Sequence, residues 1–192
     1  RHDIEAPKRN FIIFHLYGQH AAYGERHPAD FAKFGVRSVK SKLRLSDEQR
    51  GVVADYLNAT LYNDYVVDSI IRMFSDRNAG VLYFSDHGEE VYDFRLQQGR
   101  TDLKTDVPRA LRSQLDIPFM IYVSPRYAAT HQQQVERIKR SLDRPFMTDN
   151  LSQVIFDLLG VRTSYYRPAR SVINDAYRPQ KQRMLQVGRV YD

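Results

Sequence analysis

Asp86 and His87 are the residues whose types and spacing could do chemistry. They lie in Val81-Leu82-Tyr83-Phe84-Ser85-Asp86-His87-Gly88-Glu89-Glu90, where four apolar or aromatic residues run into an adjacent acid and imidazole. Carboxylate oxygen and imidazole nitrogen are ordinary zinc ligands. Neighbours on a regular strand point to opposite faces, so the two can reach one ion only where the ladder breaks, and Gly88 permits that break. This reads as half of a metal site. The competing reading is a set of polar turn residues that cap a strand and bind nothing.

Both readings need a buried strand over residues 81–84 to deliver the cluster at its end. A second strand is predicted over 11–18, a continuous apolar run ended by Gly18 and packed on both faces. It places His20 just beyond a strand end, where sites form in open α/β sheets, while His15 reads as a hydrogen-bonded core histidine. Residues 23–41 read as a surface connection with a helical turn near Pro28; Arg26 and His27 could face an anion there or simply be solvated.

Ser46-Asp47-Glu48-Gln49 fits a capping box, and the spacing behind it predicts a long helix to about Ser75, with an apolar face that includes Val52, Val53, Tyr56, Leu57, Leu61 and Val67. Asn78 or Gly80 suits a left-handed cap at its end. Strand, long helix, strand is a βαβ unit with a parallel crossover. The expected fold class is therefore α/β, a mostly parallel sheet flanked by helices.

Residues 89–116 read as a long irregular loop, in which Arg95, Arg100 and Lys104 could meet phosphate oxygens. A third strand is expected over 117–123, then a helix from Ser124-Pro125 to about Leu142. Thr148-Asp149-Asn150 caps a further helix that ends at Gly160, and 171–173 and 184–187 could be short edge strands.

At 192 residues with 42% hydrophobic and 27% charged residues, the chain can bury one sizeable core and is most simply one domain. A net charge of +6 suits phosphate groups, an anionic membrane surface or nucleic acid. The Lys and Arg are spread along the chain and no nucleic-acid motif stands out, so no nucleic-acid partner is expected. The absence of cysteine excludes disulfides and thiolate ligands. No apolar run is long enough to span a bilayer, and the sequence opens on Arg1-His2-Asp3 without an initiator Met, as part of something longer would.

Three motifs in order carry a resemblance: His15-Leu16-Tyr17-Gly18-Gln19-His20 followed by Tyr23 and Arg26-His27-Pro28; a helix containing Tyr62-Asn63-Asp64-Tyr65-Val66-Val67-Asp68-Ser69; and Phe84-Ser85-Asp86-His87-Gly88-Glu89. Ile117-Pro118-Phe119 and Thr148-Asp149-Asn150-Leu151 continue the pattern. Together they resemble the lipid phosphoethanolamine transferases, in the sulfatase branch of the alkaline phosphatase superfamily, over most of the chain.

The resemblance implies that Asp86 and His87 are zinc ligands and that His20 contacts substrate or phosphate beside the metal. His15 matches a motif position of no assigned role. It further implies a two-step transfer, in which a Thr takes phosphoethanolamine from phosphatidylethanolamine and passes it to lipid A, a core sugar or another envelope glycan. That Thr lies upstream in the family, so the chain corresponds to the carboxyl-terminal portion of a single catalytic domain. The parent protein would sit in a bacterial inner membrane through an amino-terminal part, with the catalytic domain in the periplasm.

Many members carry another histidine about a dozen residues past the Asp-His pair; here that place reads Gln98-Gly99-Arg100, and Arg100 could supply the anion contact through its guanidinium fork. A sulfatase or phosphodiesterase of the same superfamily would share the metal ligands. A phosphoglycerol transferase would differ in donor head group, and a non-catalytic binding domain would keep the fold with a degenerate site.

Overall fold

The computed structural model describes residues 10–191, which fall into two compact units. The first takes the chain up to Lys40 together with Leu45–Asp64; the second takes Ser41–Arg44 and the chain from Tyr65 onward.

The first unit is built on α1, Asp47–Met73, whose amino-terminal part belongs to it. The helix starts where the capping box requires: Gln49 N–H donates to the Ser46 hydroxyl at 3.2 Å and the Gln49 side chain accepts from Ser46 N–H at 2.9 Å. Its most buried positions here are Ala54, Asn58, Ala59 and Asn63, a stripe of small and amide residues. The expected apolar positions Val52, Val53, Tyr56, Leu57 and Leu61 are half-buried beside it. Asn58 explains the polar stripe, because its side chain accepts from Phe34 N–H at 2.8 Å and donates to Phe34 C=O at 3.0 Å. One amide thus satisfies both backbone groups of an otherwise unladdered loop residue.

The strand expected over 11–18 does not form. Residues 10–17 carry no regular structure, and Phe11, Ile12, Ile13, Phe14 and Tyr17 are exposed. An apolar run becomes a strand only where a neighbouring backbone completes its ladder, and the described residues offer this one none. His15 is exposed rather than a core histidine. The helical turn near Pro28 is present as a 3-10 turn, Ala29–Phe31.

In the second unit β1 (Gly80–Phe84) pairs with the later strand Phe119–Val123, with Gly80 opposite Val123 and Phe84 opposite Phe119. The pairing is antiparallel; the parallel crossover expected from 11–18 through α1 to β1 lacks its first strand, and the described residues do not build a mostly parallel sheet. The reversal comes from the segment between the strands, which leaves Phe84 and returns to Phe119 at the same end of the ladder.

The segment expected to be irregular holds a hairpin, β2 (Glu90–Val91) against β3 (Gln98–Gly99), and a helix, α2 (Pro108–Leu115). The strand that returns, Phe119–Val123, is β4. Two-residue strands are too short to show a period of two. Pro108, at the first turn of α2, is a start signal the sequence did offer. At the other end of β1, α1 stops through 3-10 turns, Phe74 N–H to Ile71 C=O at 3.0 Å and Ser75 N–H to Arg72 C=O at 3.3 Å. Neither Asn78 nor Gly80 takes a positive φ, so the expected left-handed cap is replaced by a tightened last turn.

Phe119 and Ile121 of β4 share a face and pack on Val154, Val172 and Ile173, the centre of this unit's core. Val154 belongs to α5 (Leu151–Leu159), preceded by a 3-10 turn at Thr148–Asn150 and ended by Gly160 at φ +65°. The helix expected from Ser124 to Leu142 is two, α3 (Pro125–Thr130) and α4 (Gln132–Lys139), broken at His131, whose ring stacks on Tyr127 at 4.2 Å. Of the expected edge strands, 171–173 is buried but irregular, and the second survives as one bridge, Met184 to Val190. Asp157 ties the tail down by accepting from Tyr166 at 2.6 Å and Asn174 at 2.9 Å. Burial and that carboxylate push the Tyr166 phenol up to about 12.

Ser124 fixes the junction of β4 and α3. Fully buried, its hydroxyl accepts from Tyr127 N–H at 3.1 Å and Ala79 N–H at 3.3 Å and donates to Arg77 C=O at 2.5 Å. Ser124→Ala removes a helix cap and leaves these groups unpaired, and is expected to cost about 1–2 kcal/mol in equilibrium denaturation. No helix of the described residues is long and apolar enough to cross a membrane.

Candidate functional site

The chain turns two residues beyond β1. The Ser85 hydroxyl donates to His87 C=O at 2.7 Å and Asp86 Oδ1 accepts from His87 N–H at 3.1 Å, folding the segment onto itself and breaking the ladder's alternation. His87 Nδ1 lies 2.7 Å from Gly88 C=O. A carbonyl can only accept, so Nδ1 carries a proton, and the neutral ring has its lone pair on Nε2. That Nε2 is 3.7 Å from Asp86 Oδ2, with the Asp86 side chain 86% exposed and that of His87 29%. The acid and the imidazole converge on one side of the turn, toward open space.

One carboxylate oxygen and one imidazole nitrogen in a fixed tautomer are a donor set that fits zinc, and a carbonyl on the far ring nitrogen is the support ligating histidines ordinarily have. Among the described residues no group of three or more His, Asp or Glu gathers as a complete shell. The pair is two ligands of a four-ligand site at most.

Gly88 contributes closeness rather than freedom. Its φ is not positive, but a Cβ there would lie 2.3 Å from Ser113 C=O oxygen and 3.2 Å from that of Asp116. The turn therefore lies directly on the last turn of α2, and Gly88 N–H donates to Gln114 C=O at 2.8 Å, satisfying a helix-end carbonyl.

Arg95, expected to be available to phosphate, is engaged inside the protein. It donates to both oxygens of Glu90, each at 2.8 Å, and to both of Asp106 at 2.8 and 2.7 Å. Hydrogen bonding from this guanidinium holds the Asp106 carboxyl well below the usual carboxylate range. Arg100 and Lys104 are exposed. The pairing of Glu90 with Gly99 sets Arg100 alongside Glu89, three residues past Asp86, so the hairpin brings this arginine back toward the turn. Nothing in the spacing of Glu90, Arg95 and Asp106 announced their cluster, because they meet through a hairpin too short to leave a pattern.

His20 belongs to the first unit and is exposed. It follows a tight turn in which Gly18 takes φ +56° and the Gln19 amide donates to Thr60 of α1 at 3.2 Å. Arg26 fixes the same turn by donating to His20 C=O at 3.3 Å and Ala21 C=O at 3.0 Å, its guanidinium 4.3 Å over the Tyr17 ring. Arg26 thus braces the His20 loop rather than facing an anion.

The sequence model of the Sulfatase family matches residues 3–161. The chain belongs to the sulfatase family. Among its relatives, phosphoethanolamine transferase EptC of Escherichia coli is 38% identical over 177 residues, which are 90% of this sulfatase-family chain and 29% of that protein. Phosphoethanolamine transferase CptA of Salmonella typhimurium is 37% identical over the same shares, 90% and 29%. The crystal structure of the C-terminal periplasmic domain of EcEptC from Escherichia coli in complex with Zn matches with a TM-score of 0.71 and 34% identity, over 85% of this chain and 44% of that one. This sulfatase-family chain therefore spans about three tenths of the length of the curated relatives it matches.

Proposed function

We propose that this chain is the carboxyl-terminal portion of a single sulfatase-like catalytic domain in a zinc-dependent phosphoethanolamine transferase. The observation that carries the reading is the convergence of His87 Nε2 and Asp86 Oδ2 at 3.7 Å, with the tautomer fixed by Gly88, in a chain 38% identical to a phosphoethanolamine transferase. In this reading Asp86 and His87 are metal ligands, His20 contacts substrate or phosphate, and Arg100 meets a phosphoryl oxygen. The donor is phosphatidylethanolamine and the acceptor lipid A, a core sugar or another envelope glycan. The parent protein lies in a bacterial inner membrane with this domain in the periplasm, a placement supported by the periplasmic domain it resembles.

The transfer runs through a Thr hydroxyl supplied by the longer protein. Its oxygen attacks the donor phosphorus, diacylglycerol leaves as the alcohol, and an acceptor hydroxyl then takes phosphoethanolamine from the Thr. Zinc, when bound, lowers the pKa of the hydroxyl and offsets charge on the phosphoryl oxygens. His87 gives its ring Nδ1–H to Gly88 and so presents Nε2 without reorganisation, while Arg100 adds a fixed positive charge.

The test is an assay of the longer protein with labelled phosphatidylethanolamine and an envelope lipid acceptor, with and without chelator. Zinc-dependent transfer of label to the acceptor is expected. Release of labelled phosphoethanolamine to water without acceptor, or turnover of a sulfate ester in its place, would assign a hydrolase of the same superfamily; no zinc and no turnover would leave a non-catalytic binding domain.

A further inference from the structure

We propose that Arg95 is a positioning residue for the Asp86-His87 turn, acting through a ring of part-buried hydrogen bonds closed by the chain from Gly88 to Glu90; this rests on the metal-site reading above. The ring begins and ends beside the turn. From Gly88 it passes through N–H to Gln114 C=O at 2.8 Å. The Gln114 side chain, itself buried, donates to the Thr101 hydroxyl at 2.8 Å and accepts from Thr101 N–H at 2.8 Å. That hydroxyl donates to Asp106. Asp106 accepts from Arg95, and Arg95 forks onto Glu90, which is wholly buried and only two residues beyond Gly88.

The arrangement is expensive unless it is all made. Two carboxylates sit within reach of one guanidinium, and an ionised Glu90 with no exposure would be strongly disfavoured without its partner. Arginine is the one side chain whose planar fork satisfies both pairs of oxygens at once; a lysine ammonium is a single point and cannot. Arg95 touches neither member of the Asp-His pair. Its effect is to hold Glu90, and Glu90 with the Gly88–Gln114 bond fixes the carboxyl-terminal side of the turn, whose other side β1 holds through the pairing of Phe84 with Phe119. Supports of this outer kind set a metal's affinity by about 10–100-fold.

The test uses the zinc-loaded parent protein and measures zinc affinity by chelator competition for wild type, Arg95→Lys, Glu90→Gln and His87→Ala. Hydrogen exchange of residues 85–91 is read by mass spectrometry in the zinc-free folded protein. Arg95→Lys and Glu90→Gln are expected to weaken zinc by about 10–100-fold, and to speed exchange at 85–91 while α5 amides keep their protection. A merely structural arginine would lower the melting temperature and leave zinc affinity and local exchange in the folded protein unchanged, which overturns the inference. So does wild-type affinity in Arg95→Lys, since charge alone would then suffice. If His87→Ala leaves zinc binding intact, the metal-site reading itself fails; if it abolishes binding while the Arg95 and Glu90 variants bind normally, only the present inference falls.

Discussion

On the proposed metal-site reading, replacing His87 by Ala in the longer protein is expected to lower phosphoethanolamine transfer by at least about 100-fold, the upper end of what outer-shell changes cost a metal site, because a proposed ligand itself is lost. The fold should be untouched. His87 makes its side-chain bond to Gly88 next door, and the turn's remaining bonds run through backbone groups, the Ser85 hydroxyl and Asp86 Oδ1. Circular dichroism and the denaturation midpoint should match wild type while zinc content drops. Asp86→Ala should lower transfer alike, and because most of its side chain faces solvent, losing the bond from His87 N–H to Asp86 Oδ1 is expected to move the denaturation midpoint only slightly. Full transfer activity in either variant would remove the pair from the chemistry.

Gly88→Ala should damage stability and zinc binding together. A methyl at 2.3 Å from Ser113 C=O oxygen cannot be relieved by a side-chain rotation, because the neighbours it meets in Ser113, Gln114 and Asp116 are all backbone. Either α2 or the turn must move, and forced overpacking of this kind costs about 1–3 kcal/mol. Moving the turn also breaks the bond from Gly88 N–H to Gln114 C=O. Denaturation and chelator competition on the same protein check the prediction, and a variant with wild-type values in both would show that the contact yields freely. Ala is the smallest possible addition, so larger residues should do worse.

Legibility in the sequence tracked how locally each feature is specified. The capping box of α1, the apolar runs of β1 and β4 and the left-handed Gly160 are set by residues within a few positions of each other, and all appear in the structure. The direction of pairing was not legible. A buried strand looks the same whether its partner runs with it or against it, and the connection that reverses the chain was hidden in a hairpin of two-residue strands. The strand expected at 11–18 failed for a related reason: apolar character states what a segment would bury, not who supplies the other half of its ladder. At the site, Asp86 and His87 stood out by type and adjacency. Glu90, Arg95, Asp106 and Gln114 did not, because buried ion pairs read as ordinary surface charge until the chain is folded.

The bare stretch Phe11-Ile12-Ile13-Phe14-His15-Leu16-Tyr17 has a practical consequence. It carries no Lys, Arg, Asp, Glu or Pro and is rich in aromatic and β-branched residues, the makeup of a steric zipper. Without charged gatekeepers, exposed apolar side chains of this kind favour association between copies of the polypeptide. A charge or proline introduced at Ile13, 74% exposed, is expected to lower self-association of the polypeptide, read by light scattering against wild type.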